Sequence, residues 1–239
     1  MITNYISRAE ADELCDELIR QFMGEDDHEL CVDIDCFVGG FLGCPVVYEN
    51  FAEDDPDKIG FASDGVQPLR VRMNGRIQDQ VYPRRTIVLD RVLLNPGEEY
   101  RRRFTLAHEA GHIIASRIDP NIRSGFHRVH DECRMYTAEE LRQRLSIAEW
   151  QANVIAAALL MPRFIIKDAL VRFNGGRRLP VYGSNIFAVR EKVILQKMAK
   201  SLGVSHTALI IRLRDLDALK YHDLSEFINK ELRPGGVIA

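Results

Sequence analysis

The sequence predicts an α+β fold, and three observations predict it. Short β-favouring runs cluster between Cys44 and Asp90, separated by Gly, Pro, Asn and Asp punctuation such as Asn74-Gly75. From Glu98 onward the apolar residues recur with helical spacing. The length of 239 residues, 46% of them hydrophobic, suits one sizeable domain with a small helical appendage.

Taken in order, Ala9 to Met23 reads as an amphipathic helix, with Ala11, Leu14, Leu18, Ile19 and Phe22 on one stripe and acids between them. The runs Cys44–Tyr48, Leu69–Met73, Gln80–Tyr82 and Thr86–Asp90 then form a small twisted sheet, antiparallel in part. Helices follow over Glu98–Ile118, Thr137–Met161 and Phe164–Phe173, the second stopped by Pro162, which has no donor to continue it. The polar connection Asp119–Tyr136 is too long for a tight turn and is a candidate functional loop. In the tail, Ala199, Gly203, Leu209 and Leu213 fall at the spacing of a helix-turn-helix. The expected organisation is an acidic N-terminal segment (1–56), a central α+β domain (57–180) and a helical C-terminal subdomain (181–239).

Charge narrows the functional classes. The net formal charge is −3, so no global basic field exists to hold nucleic acid. Residues 1–60 carry 3 Lys/Arg against 16 Asp/Glu, leaving 29 against 19 for the rest: an acidic front precedes a basic body. Residues 191–239 hold 8 basic and 6 acidic side chains, a thin excess for gripping phosphates even though His206, Thr207, Arg212 and Arg214 lie on the second helix of the tail. Direct DNA binding is therefore not expected. Five cysteines, Cys15, Cys31, Cys36, Cys44 and Cys133, without a C-x-x-C pair, fit a reduced compartment; Cys31 and Cys36 are a weak candidate for a second metal site. No leader pattern and no membrane-length apolar run is present, so a cytoplasmic protein without membrane attachment is expected.

The chemistry is carried by H-E-x-x-H, residues His108-Glu109-Ala110-Gly111-His112. On a helix, positions i and i+4 share a face, so both imidazoles can reach one Zn²⁺ while Glu109 lies beside the ion as a general base. A catalytic zinc needs a third protein ligand and an open position. Glu149 on the following helix can complete a His₂Glu set, provided that Ala152, Ala156 and Ala157 let that helix close against Ala107, Ala110 and Gly111. Asn153, one turn beyond Glu149, can hydrogen-bond a ligand imidazole and fix its tautomer. His127, His130 and Tyr136 are candidates for the donor that stabilises an oxyanion. Thr86–Asp90 is a candidate edge strand on which an extended substrate could dock.

The stretch Thr86-Ile87-Val88-Leu89-Asp90, then Arg102-Arg103-Phe104-Thr105-Leu106-Ala107-His108-Glu109-Ala110-Gly111-His112, then Glu149-x-x-Ala152-Asn153 and Leu159-Leu160-Met161-Pro162, resembles the ImmA/IrrE family of zinc metallopeptidases. The resemblance spans roughly residues 57–219. It implies a zincin-like metallopeptidase domain with one catalytic Zn²⁺ on His108, His112 and Glu149, and with Glu109 as base. It further implies a protein substrate, a DNA-binding helix-turn-helix repressor of a mobile element or stress regulon. Gln151 stands where many members carry a second Glu, which favours Glu149 as the ligand, and the acidic segment 1–56 has no counterpart. Two other readings remain at this stage. One is a non-catalytic helix-turn-helix regulator or toxin-antitoxin component with a structural or vestigial zinc site. The other is a zinc hydrolase acting on a small amide.

Overall fold

The computed structural model describes residues 6–24, 29–55, 57–118 and 147–233. Helix α1 (Arg8–Met23) starts at Ser7, whose hydroxyl accepts from the Glu10 N–H while the Glu10 carboxylate accepts from the Ser7 N–H at 2.8 Å. The short helix α2 (Ile34–Cys36) runs into a π-turn, Phe37–Phe41. Strands β1 (Val46–Glu49), β2 (Gly60–Ala62), β3 (Leu69–Met73), β4 (Arg76–Gln80) and β5 (Ile87–Asp90) follow, then α3 (Glu99–Ile118). Beyond it lie α4 (Ile147–Leu160), α5 (Arg163–Asn174), β6 (Leu179–Tyr182), α6 (Val189–Leu202), α7 (His206–Asp215), β7 (Leu219–His222) and the single turn α8 (Leu224–Phe227).

The architecture is α+β, with three small sheets where one was expected. The first has the order β1-β5-β2, with β5 parallel to β1 and antiparallel to β2. Strands β3 and β4 form a hairpin about Asn74-Gly75, and β6 pairs in parallel with β7. Thr86–Asp90 was expected at an edge. It is the centre of its sheet, because Val46–Glu49 takes one side and the three-residue Gly60–Ala62 the other. Gly60–Ala62 escaped notice because three buried residues are too few to show alternation. The run expected at Gln80–Tyr82 is displaced, since the hairpin places its second strand at Arg76–Gln80. The tail, expected to be helical, also contributes β6 and β7, which only each other's presence makes into a sheet.

The larger of two hydrophobic clusters takes Ala11, Cys15 and Ile19 from α1, Leu106 and Ala110 from α3, Ile155 and Leu159 from α4, and Leu195, Met198, Leu209 and Leu213 from α6 and α7; the smaller joins Phe61, Leu69, Val71 and Val88. Among the described residues, no helix is long and apolar enough to cross a membrane.

The acidic front closes on the basic body through specific pairs. Asp16 accepts from the Arg163 side chain at 2.7 Å and from its backbone N–H at 2.8 Å, at the start of α5. Asp35 receives both Arg102 terminal nitrogens, at 2.5 and 3.0 Å, and Arg8 pairs with Asp215. Asp12 meets Arg212 at 2.7 Å inside the protein, and Arg212 Nε donates to Met161 O at 2.9 Å. Arg212 is 1% exposed. Its place on the second helix of the tail, read from sequence as a basic position, is an internal strut joining α1, the end of α4 and α7.

Arg103 plays a comparable part on α3. Its Nε donates to Gly203 O at 2.9 Å and its NH2 to Val32 O at 2.8 Å. Gly203 caps α6 with φ +65°, a left-handed conformation that glycine adopts without strain, and a side chain there would strike Cys31 Sγ and Arg103.

Candidate metal centre

Helix α3 is buried at every residue from Thr105 to Ala115, so H-E-x-x-H lies in the interior. The closeness of α4 depends on Gly111. A Cβ there would stand 2.8 Å from Ala152 O and 3.1 Å from Ala152 Cα, distances that no side chain could occupy without moving one helix. Glycine inside a helix costs about 1 kcal/mol in propensity. Here that cost is offset by an approach that brings the first turn of α4 over His108 and His112.

At that crossing, His108 Nε2 and His112 Nε2 are 3.0 Å apart. Glu149 Oε2 is 3.4 Å from His108 Nε2, and Glu149 Oε1 is 3.6 Å from His112 Nε2. All three residues are buried and could together hold a metal ion, their donor atoms lying within 4.8 Å of one another. Ligand atoms about 2.1 Å from a common ion at tetrahedral angles stand about 3.4 Å apart. Each imidazole nitrogen thus faces its own oxygen of the one carboxylate at a spacing of that order, and two imidazole nitrogens with a carboxylate are a donor set of the kind zinc takes. Glu149 is only 6% exposed, because α3 packs over the face of α4 that carries it.

Asn153 lies against the His108 ring. His108 Nδ1 is 3.0 Å from Asn153 Oδ1. An amide oxygen only accepts, so the contact puts the ring proton on Nδ1 and leaves Nε2 its lone pair.

Glu109 is 1% exposed, and its carboxylate lies against Gly60 of β2. Burial pushes its carboxyl up to about 7, against the opposing effects of His108 and of the Ala62 backbone N–H. Its Oε2 is buried without a hydrogen-bond partner among the described residues. Such an oxygen is costly to keep in a folded core unless it has a task. The neighbouring β2 residues Gly60 and Ala62 are the site features that sequence reasoning missed: a glycine in a three-residue strand carries no periodic signal.

His127, His130 and Tyr136 lie outside the described residues. Cys31 and Cys36 are exposed free thiols, and among the described residues the only cluster of His, Cys, Asp and Glu able to hold a metal is the one at His108.

Comparison with known proteins agrees with this geometry. A 74-residue stretch is 42% identical to the "Radiation response metalloprotease IrrE" of Deinococcus radiodurans, covering 31% of this chain and 20% of that protein. The protein of the same name from Deinococcus deserti is likewise 42% identical over 74 residues, 23% of its length. The matched stretch thus spans about a fifth of these curated relatives. Residues 42–214, nearly three quarters of the chain, match the peptidase family M78 described as the IrrE N-terminal-like domain, and on that extent the chain belongs to the ImmA/IrrE family.

Proposed function

We propose that the chain is a zinc-dependent endopeptidase with a zincin-like domain over 57–180 and a helix-turn-helix-like subdomain over 181–239. In this reading it acts in the cytoplasm on a protein substrate, a DNA-binding repressor of a mobile element or stress regulon. The observation that carries the enzymatic part is the buried cluster of His108, His112 and Glu149, with the carboxylate of Glu109 one residue from the first of them. Placement of Arg212 inside the protein supports a helical tail that packs or recognises a protein in preference to DNA.

Zinc, when bound, supplies Lewis acidity that polarises the scissile carbonyl and acidifies the attacking water. The chain's own residues do the rest. Asn153 holds the His108 ring in the ligating tautomer. Glu109, held in the core one residue from His108, is the carboxylate that would accept a proton from water and then give it to the leaving amine. A purely structural site would give Glu109 no task, which weighs against the non-catalytic reading.

The test is incubation of the zinc-loaded protein with the repressor encoded beside it. Glu109→Gln should keep zinc and lose cleavage, and His112→Ala should lose both. Chelation with 1,10-phenanthroline should stop the wild-type reaction. Protein that purifies free of zinc, or a repressor that persists uncut, would overturn the proposal.

A further inference from the structure

The edge strand β2 is built around the Glu109 carboxylate. Ile59 O accepts from the Asp90 N–H at 2.8 Å and the Ser63 N–H donates to Thr86 O at 2.9 Å, so the odd-numbered residues of this strand turn their polar groups to β5. Alternate residues Gly60 and Ala62 turn theirs the other way, toward α3. That orientation explains why the Ala62 N–H acts on Glu109.

Gly60 has no left-handed φ, so its backbone is one that any residue adopts. What it lacks is room. A Cβ would lie 2.5 Å from Glu109 Oε1 and 2.7 Å from Thr105 Cγ2, well inside contact distance for both. The missing side chain is thus a requirement set by Glu109 and Thr105, not by the strand.

We propose that Gly60 is a positioning residue for the catalytic base: its bare Cα, with the Ala62 N–H beside it, fixes where the Glu109 carboxylate sits. The inference rests on Glu109 being the base. Any side chain at 60 moves the carboxylate off the proton it must take while leaving His108, His112 and Glu149 in place.

The experiment is Gly60→Ala in the full chain, with three readouts. Zinc content should match wild type. In the repressor-cleavage assay kcat should fall about a hundredfold, the scale of a misplacement near 1 Å, with KM within about twofold. A crystal structure of the variant should show the Glu109 carboxylate displaced from the Ala62 N–H. Glu109→Asp, one methylene shorter, should recover part of the loss in Gly60→Ala. If Gly60→Ala alone fails to fold, Gly60→Ala with Thr105→Ser removes the second clash, keeps the Thr105 hydroxyl bond to Arg101 O, and leaves only Glu109 to move. An undisplaced carboxylate, or no recovery when Glu109→Asp is combined with Gly60→Ala, would overturn the inference. An inactive wild-type protein would instead overturn the proteolytic reading, and the displacement would still decide the role of Gly60.

Discussion

Replacing Arg212 by Ala removes one half of an ion pair that the fold has already taken out of water. Asp12 and Arg212 are 6% and 1% exposed, their charged atoms are 2.7 Å apart, and the Nε donation to Met161 O is lost with them. Breaking a buried pair from one side strands the other charge, at a cost of about 3–5 kcal/mol. The unfolding entropy of about 2.1 cal/mol/K per residue gives this chain about 0.5 kcal/mol/K, so Tm should drop by about 6–10 °C. Thermal unfolding followed by far-ultraviolet circular dichroism, at fixed zinc concentration, reads the shift. Because the penalty comes from the stranded carboxylate, the apolar double variant Asp12→Leu with Arg212→Met should recover most of it. A Tm within about 2 °C of wild type for Arg212→Ala, or a double variant no better than the single one, would refute the buried strut.

Other perturbations probe the metal centre and the core. Asn153→Ala should weaken zinc affinity about 10–100-fold by freeing the His108 tautomer, measured by competition with a chromogenic chelator, while the fold stays intact. Gly111→Ala forces a Cβ into the 2.8 Å gap before Ala152 O; it should cost about 1–3 kcal/mol in urea unfolding and lower zinc occupancy, since Glu149 rides on the displaced helix. Burial pushes the Cys15 thiol up to about 12 from 9.0, so the unfolded chain releases this proton first as pH rises. Its contribution is therefore complete below about pH 9 and lost as pH climbs toward 12. Cys15 should resist thiol reagents at pH 8 in the native protein and react on unfolding, whereas exposed Cys31 and Cys36 react at once.

Much of the site was legible because its grammar is local. The spacing of His108 and His112 fixes their common face through the 3.6-residue turn, and the α3 boundaries fall within one residue of those expected. Ala152 and Gly111 announced a tight helix pair through their size alone. The edge role expected of Thr86–Asp90 failed because pairing is not local: Val46–Glu49 and Gly60–Ala62 decide from 41 and 27 residues away whether β5 has a free side.

The amino-acid order by itself determined helix α3, the common face of His108 and His112 and the small residues that let α4 approach, since each depends on intervals within one segment. Tertiary structure decided the rest. Whether Glu149 is solvated or buried, whether Arg212 faces phosphate or Asp12, and whether the Gly60 position can carry a side chain all depend on which surface arrives opposite. The acidic front shows the difference most plainly: its charge was countable, but only the fold turns Asp12, Asp16 and Asp35 into specific partners for Arg212, Arg163 and Arg102. An ion pair is set by distance and desolvation, which sequence separation does not encode.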